Sequence, residues 1–551
     1  MNSKKEEKID IQQTGAEEEE VILQLSSIIK RLDPDIIITE NGDSFLFPYL
    51  IYRATANDLN LVLSRDTTIP LRRQTKKGTS YFSYGKTYYR PSSIRLYGRL
   101  HIDISTSFLW RETQDIHGLV EISRLSRLPL HEVSRATIGK CLTSLHLYNA
   151  TKKDILVPWK PVISEHLKSL RELFIADKGG IILEPEIGLH EKVAEFDFVS
   201  LYPNIIYQKN ISAETILCKC CCSNNDIIVP ELNYHICKSK KGLVPESLEI
   251  VLRKRLQYKN LKSTTTNPTL KKIYDSRQSA LKWILVTSFG YLGFSNAKFG
   301  RIDAHIAVCA FARDVLLKSK KIAEEQEFEV LHGLVDSIWV KKDNAVVTIN
   351  DYIQLKENIE RKTGFEISFE GIYKWIVFLP SELDNRIPVP NRYFGVFEDG
   401  TFKIRGIDTR RHDTPIYFSN FQQELLETLA TANNKKELKE RIPEINFIYK
   451  KYISTLRERQ VPVTDLIFTK QLSKNYNEYE NRNTVENNAI KILASEKEYL
   501  KAGQLLKYVI VDYKRRKAIP YQLINDKTLY DVERYSELLT EIYDLIIKIV
   551  K

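Results

Sequence analysis

The chain of 551 residues is long enough for several domains with sizeable cores, and its 82 Lys and Arg against 71 Asp and Glu leave a formal charge of +11. That balance suits a polyanionic partner, although a lysine-rich solvated surface on an ordinary enzyme gives the same number. No apolar run approaches the roughly 18 residues of a membrane span and no signal pattern opens the sequence, so the expectation is an intracellular protein rather than a membrane-spanning one.

Residues 1 to about 20 are polar and close on Glu17–Glu20, which reads as a solvated, frayed start. VILQLSSIIKRL then has helical spacing, and DPDIIITENGDSFLFPYLIYRA reads as a strand followed by a helix. In AEFDFVSLYPNII, residues 194–206, an apolar strand carries Asp197 to its end, and Ser200-Leu201-Tyr202-Pro203 turns the chain into a helix. A carboxylate so placed costs free energy unless it is paired or binds a cation. Cys218, Cys220, Cys221, Cys222 and Cys237 follow, a density that invites a zinc reading, but two separated CxxC pairs are missing. GLVPESLEIVLRKRLQYKNLKS and TLKKIYDSRQSALKWILVTSFGYLG read as two long helices joined at TTTNP, with Arg255 and Lys259 four residues apart on one face. In EVLHGLVDSIWV, β-rich residues flank a tight turn at His332–Val335, and Asp336 is expected to open the return strand. Two carboxylates on adjacent strands suit a pair of divalent metal ions. RYFGVFEDGTFKIRGIDTRRHDTP alternates strand residues with basic ones, as phosphate tracking would require, and helical periodicity dominates from Pro415.

These segments carry a resemblance. DFVSLYPNII resembles motif A of the family B DNA polymerases, usually DxxSLYPSII; KWILVTSFGYLGFSNAKFGR resembles motif B; and HGLVDS stands where motif C, usually YGDTDS, belongs. The order and the gaps match too. From about Asp33 to the C-terminus the chain is most similar to the short, divergent second B-family polymerase of archaea, often regarded as inactivated. The resemblance implies an α+β right-hand fold, with an antiparallel palm sheet, helical fingers and thumb, and an N-terminal α/β exonuclease-like domain of RNase H type. It implies these divisions: 1–150 exonuclease-like, 151–242 palm with motif A, 243–292 fingers, 293–414 palm with motif C, and 415–551 thumb.

The function implied is DNA-templated extension of a primer 3′ end from deoxynucleoside triphosphates. Asp197 and Asp336 become the catalytic residues. Asp197, Phe198 and Asp336 become the ligands of two Mg²⁺ ions, with Mn²⁺ as a substitute. Ser200, Leu201, Tyr202, Arg255, Lys259, Lys282 and Val286 are the corresponding nucleotide contacts, Tyr202 as the gate against a 2′ hydroxyl; a core tyrosine is its plainer reading. Arg392, Tyr393, Lys403, Arg405, Arg410, Arg411, Lys470 and Lys474, with Gln471 beside them, correspond to positions along the primer–template duplex, while a usual lysine is Asn391. A sliding clamp or another replication protein is the further partner class, although no clamp-binding motif is legible. A nucleoid-associated cytoplasmic location follows.

Departures from the family pattern carry as much information. Leu334 and Val335 replace Asp and Thr of motif C, and Val286 and Phe289 replace Asn and Tyr of motif B. NGDSFLFPYL resembles the second exonuclease motif, with Leu46 at the metal-binding Asp. The first exonuclease motif has no room in this sequence, and the third aligns its Tyr and Asp with Leu100 and Ile104. The expectation is a slow polymerase without proofreading, used in lesion bypass or repair; the alternative is an inert DNA-binding subunit of a replication or repair complex. Some archaeal relatives carry a disulfide near the cysteine cluster, so a bond from Cys220–Cys222 to Cys237 competes with free thiols, and either is favoured over zinc.

Overall fold

The Asp197 strand runs Gly188–Phe198, and the two-residue period of its side chains explains its position. Ala194, Phe196 and Phe198 face one way and are fully buried, while Val193, Glu195 and Asp197 face the other. A strand with apolar residues on both sides of its middle belongs inside a sheet. In this computed structural model, which describes residues 18–71, 78–83, 86–160, 163–221, 227–342, 347–480 and 483–550, it lies fourth among seven strands. The order is Phe402–Arg405, Pro388–Phe397, Ile367–Pro380, Gly188–Phe198, Ser337–Lys341, Glu329–Leu334 and Ile182–Leu183, with every neighbouring pair antiparallel.

By compactness the chain divides into two units. One contains this sheet, formed from Ser80–Tyr89, Ser164–Lys241 and Arg301–Lys551. Helices Ile302–Glu325 and Ile349–Thr363 pack on the sheet, where Tyr352 meets the rings of Phe196, Phe328 and Phe369. The same unit continues into helices Ile416–Ala430, Ile442–Arg457 and Val532–Val550, whose apolar faces share one core with Trp375, Val377 and Phe394 of the sheet. The C-terminal region is not helical alone. Phe468–Gln471, Leu505–Asp512 and Lys517–Pro520 form a three-stranded sheet. In LLKYVIVD the buried Leu506, Tyr508 and Ile510 recur every second residue, a strand period.

The other unit is built from the chain up to Thr79, Arg90–Ile163 and Gly242–Gly300. Its strands Ile36–Thr39 and Leu100–Asp103 pair in parallel, and helices Ile116–Ser126 and Ile138–Lys152 pack with the long pair Leu243–Thr264 and Pro268–Gly293. The long pair takes its register from an ion pair, Lys262 to Asp275 at 2.6 Å, and from stacking of Tyr258 on Tyr274. Part of the segment expected to be frayed, to about residue 20, is ordered as helix. Helix Glu18–Leu32 already includes Glu18, Glu19 and Glu20, and Glu18 is fastened to Arg53. Acidic residues in a first turn favour the helix dipole, so they start the helix rather than prevent it. Residues 1–17 lie outside the described residues. Among the described residues no helix is long and apolar enough to cross a membrane.

Candidate active site

Asp197 and Asp336 meet at the ends of two central strands of the seven-stranded sheet. Asp197 is paired across the ladder with Ser337, and the amide of Phe198 donates to the Asp336 carbonyl at 2.8 Å. Both carboxylates are half-buried. Burial, and then the negative charge of Asp197, push the Asp336 carboxyl from an ordinary 3.8 up to about 6. Ser337 Oγ donates to Asp197 Oδ1 at 2.6 Å, which fixes the first carboxylate, while Ser368 Oγ, shared with Glu370, lies 3.2 Å from the Asp197 backbone carbonyl. Sequence reasoning singled out neither serine. Ser337 follows Asp336 directly and could have been found there, whereas Ser368 arrives from a strand remote in sequence.

Asp336 does not open the return strand. It sits in a two-residue turn between Leu334 and Ser337, which pair with each other. The Asp336 amide donates to the Leu334 carbonyl at 2.6 Å across Val335, whose φ is +58°. This is a γ-turn with positive φ on a β-branched residue, a strained arrangement. Leu334, in the place of an aspartate, packs beside Val193, Leu331 and Trp339. The adjoining Gly180 leaves little room for a side chain. A Cβ there would lie 3.1 Å from the Tyr202 hydroxyl and 3.3 Å from Val335.

Ser200 adopts φ +51° before helix Leu201–Gln208, giving the sharp turn that follows the Asp197 strand. Tyr202 is half-buried, and burial raises its hydroxyl pKa strongly. The Leu201 side chain is buried in the core, so this position can offer a nucleotide only its backbone. Phe198 is buried likewise and could serve a metal ion only through its carbonyl.

Three of the expected duplex contacts are turned inward. Lys403 forms an ion pair with Glu195, a fully buried carboxylate that also accepts from the Tyr373 hydroxyl at 2.6 Å. Arg392 donates to the Pro380 carbonyl at 2.9 Å and to Glu382 at 2.6 Å. Tyr393 is buried among Trp339, Phe378 and Val193. The strand period puts Lys403 on the face shared by Glu195, and a buried carboxylate takes the nearest cation. Glu195 itself escaped sequence reasoning although it precedes Asp197 by two residues on the same face. Arg405 and Lys474 are exposed; Arg411 pairs with Asp413 and Lys470 with Glu486 at the surface. Gln471 donates to the Gly503 carbonyl at 3.2 Å. The Arg410 side chain lies outside the described residues.

In the other unit, Arg255 and Lys282 each lie seven residues from the Lys262–Asp275 pair, so they stand level on the antiparallel helices. Arg255 is half-buried, and desolvation lowers its pKa; Lys259 and Lys282 are exposed. Val286, one turn beyond Lys282, is 54% exposed, an apolar residue on an open face. Phe289 is half-buried, and Tyr291 accepts from the Phe299 amide at 3.3 Å while packing edge-on against buried His146.

Around the exonuclease-like motif, Leu46 packs with Phe47, Leu63 and Ile94. Leu100 opens a strand and Ile104 lies just beyond its end, so these two are separated along extended chain rather than set on one helical face. The acidic groups that are present serve structure. Asp43 is buried and accepts from Arg135 Nε at 2.7 Å and the Ile94 amide at 2.9 Å, while Asp103 accepts from the amides of Asp43 and Ser105.

Comparison with known proteins adds the following. The family model described as DNA polymerase family B matches residues 129–550, and the model for that family's exonuclease domain matches residues 1–112. A protein named DNA polymerase 2 from Saccharolobus solfataricus is 36% identical over 335 residues, 61% of this chain and 48% of that protein. A DNA polymerase from Archaeoglobus fulgidus is 29% identical over 507 residues, 84% of this chain and 60% of its own length. The chain thus spans about half to three-fifths of the length of these relatives. The solved structure of the family B DNA polymerase from Pyrobaculum calidifontis superposes with a TM-score of 0.66 at 23% identity, over 96% of this chain and 72% of that one.

Proposed function

Because this chain belongs to the family B DNA polymerases, we propose that it extends the 3′ end of a DNA primer by templated nucleotidyl transfer. The observation that carries the reading is the pair of half-buried carboxylates, Asp197 at the end of its strand and Asp336 in the adjoining hairpin turn, so close that one raises the pKa of the other. Such a pair is an unfavourable arrangement by itself, and hard divalent cations with oxygen preference, Mg²⁺ or Mn²⁺, fit its donor chemistry. When bound, such ions supply Lewis acidity toward the primer hydroxyl and the triphosphate. The chain's own residues hold the geometry. Ser337 orients the Asp197 carboxylate, the γ-turn at Val335 aims Asp336, and Tyr202 is proposed to close the space that a 2′ hydroxyl would occupy. Arg255, Lys259 and Lys282 are proposed to grip the triphosphate, Arg by paired hydrogen bonds and Lys as point charges. Arg405, Arg410, Arg411, Lys470 and Lys474 are proposed to follow duplex phosphates, which positions DNA without reading its sequence.

The polymerase is proposed to lack proofreading, because Leu46 occupies a metal-ligand position and Asp43 and Asp103 are consumed by internal hydrogen bonds. Val286 and Phe289 remove polar groups from a region that checks the nascent pair in this family, each contact typically worth on the order of 1 kcal/mol of discrimination. A permissive pocket without an exonuclease suits synthesis across damaged or deaminated bases. The rival, an inert DNA-binding subunit, draws support from the apolar Leu334, partly buried against the sheet core where the family has a carboxylate. Primer extension by the purified chain separates them: metal-dependent elongation that Asp197→Ala and Asp336→Ala each abolish is the expected result. Elongation unchanged in either variant, or absent from the wild type, defeats the proposal. Single-nucleotide kinetics opposite uracil, hypoxanthine and abasic templates test the bypass role, which fails if the penalty equals that of a proofreading-dead relative with intact motifs.

A further inference from the structure

The four cysteines Cys218, Cys220, Cys221 and Cys237 converge although their spacing in sequence argues against a metal site. Ile216 bridges to Ile236, the Leu217 amide donates to the His235 carbonyl at 3.0 Å, and the Cys237 amide donates to the Thr215 carbonyl at 2.9 Å. These bonds lay the segment before Cys218 along the one that ends in Cys237. Strands Ile227–Ile228 and His235–Ile236 pair to bring the chain back. The cluster therefore has a built frame, tightened by a contact of 2.8 Å from His235 Nε2 to the Cys218 carbonyl and by Asn210 Nδ2 donating to the Cys237 carbonyl at 2.8 Å.

Within that frame the sulfur atoms of all four residues lie within 4.8 Å of one another. Cys220 and Cys221 are 3.8 Å apart, and each is 3.5 Å from Cys237. A disulfide requires about 2.05 Å between sulfurs. A tetrahedron with metal–sulfur bonds of about 2.3 Å has edges of roughly 3.8 Å. The three separations among Cys220, Cys221 and Cys237 lie near those edges, and Cys218 Sγ is within 4.8 Å of each. Cys222, part of the expected disulfide, lies outside the described residues; the other four are free thiols whose convergence supplies what the missing CxxC pairs would have.

We propose that Cys218, Cys220, Cys221 and Cys237 form a structural tetrathiolate site for one zinc ion. Thiolate donors select a borderline-soft divalent ion over Mg²⁺, and four protein ligands leave no open position for catalysis. Ser239 Oγ, 3.1 Å from Cys221 Sγ, can donate to a thiolate as an outer-shell partner. A zinc ion with four thiolates carries a charge of −2, and the exposed Lys219, Lys238, Lys240 and Lys241 that flank the ligands in sequence offset it. Four thiols give up their protons on binding, so retention of the metal weakens in acid. The site cross-links the loop between helix Leu201–Gln208, which follows Asp197, and the start of helix Leu243–Thr264. It goes beyond the polymerase reading and stands independently of it.

The test uses the full chain, purified without chelators from zinc-supplemented medium, with metal measured by mass spectrometry. About one zinc per chain is expected, falling at least tenfold in Cys218→Ser and in Cys237→Ser. A mercurial thiol reagent added to the wild type should release that zinc in step with titration of four thiols, a readout that needs no variant to fold. Cobalt reconstitution should give the visible absorption of a tetrahedral thiolate complex. Zinc below about a tenth of an equivalent overturns the proposal. So does a non-reducing peptide map in which Cys220 or Cys221 is joined to Cys237.

Discussion

Replacing Asp336 by asparagine should make the metal-free protein more stable at neutral pH while abolishing catalysis. In the folded chain, burial and the charge of Asp197 lift the Asp336 carboxyl from 3.8 to about 6. At about 1.4 kcal/mol for each pH unit, that lift represents a destabilisation of roughly 3 kcal/mol once the group is ionised. The folded state holds its proton to higher pH than the unfolded chain, so stability falls as pH climbs from about 4 to about 6, and the full penalty is present above that window. Asparagine keeps the size and removes the charge. Melting temperatures of wild type and Asp336→Asn, in chelator, should therefore differ clearly at about pH 7.5, and much less at about pH 4.5, where roughly two-thirds of the penalty has gone. Millimolar Mg²⁺ should close the gap by stabilising the wild type selectively, since a ligand that binds only the folded state raises its apparent stability. An Asp336→Asn protein no more stable than wild type at the higher pH, or equally stabilised at both, refutes the argument.

Labelled single-stranded primer incubated with metal and no nucleotides should keep its length; shortening that a substitution within residues 1–150 removes would show that the exonuclease-like domain is active. Lys403→Met should destabilise the chain by about 3 kcal/mol, because it leaves the buried Glu195 carboxylate without its cation, and Glu195→Gln should recover most of that loss in the double variant; additive losses measured by denaturation would contradict the pairing. Val335→Gly should raise stability by about 1 kcal/mol by relieving the positive φ of a β-branched residue, and a lowered melting temperature would show that the turn is not strained. Restoring polar side chains with Val286→Asn and Phe289→Tyr should raise discrimination against mispairs, on the order of tenfold for each contact regained; mispair kinetics unchanged in both variants would remove these positions from the pocket.

The elements closest to the chemistry were legible because their signals are local. Strand Gly188–Phe198 and the long helices Leu243–Thr264 and Pro268–Gly293 announce themselves by period, and the hairpin around Asp336 by its β-rich flanks, although its turn, expected at His332–Val335, falls at Val335-Asp336. What stayed hidden depends on partners distant in sequence. Lys403 looks like a DNA contact in a basic strand until Glu195, some two hundred positions earlier, turns out to lie on the same face. Arg392 and Tyr393 show the same limit, since alternation says that a residue faces the sheet but not whether a core or a ligand waits there. The four sulfurs illustrate it most plainly. Their spacing lacks two separated CxxC pairs, and it is the Ile216–Ile236 bridge with the backbone hydrogen bonds beside it that makes them neighbours.

The substitutions in motif C bear on whether the site is decaying. Leu334 stands where the family has a carboxylate and packs, partly buried, against the cluster that includes Val193, Leu331 and Trp339, so an apolar residue there has apolar neighbours. Drift without selection would be expected to treat Asp336 in the same way, because a neutral residue there removes a repulsion and a desolvation penalty. Instead Asp336 stays, aimed by a strained turn at Val335, beside an Asp197 carboxylate that Ser337 holds in place. Carboxylates retained at a cost to stability are a feature of sites that bind cations, and strained backbone concentrates where it serves function. The retained pair therefore favours a working, if slow, polymerase over an inert subunit, and the Asp336→Asn comparison measures the cost on which this inference rests.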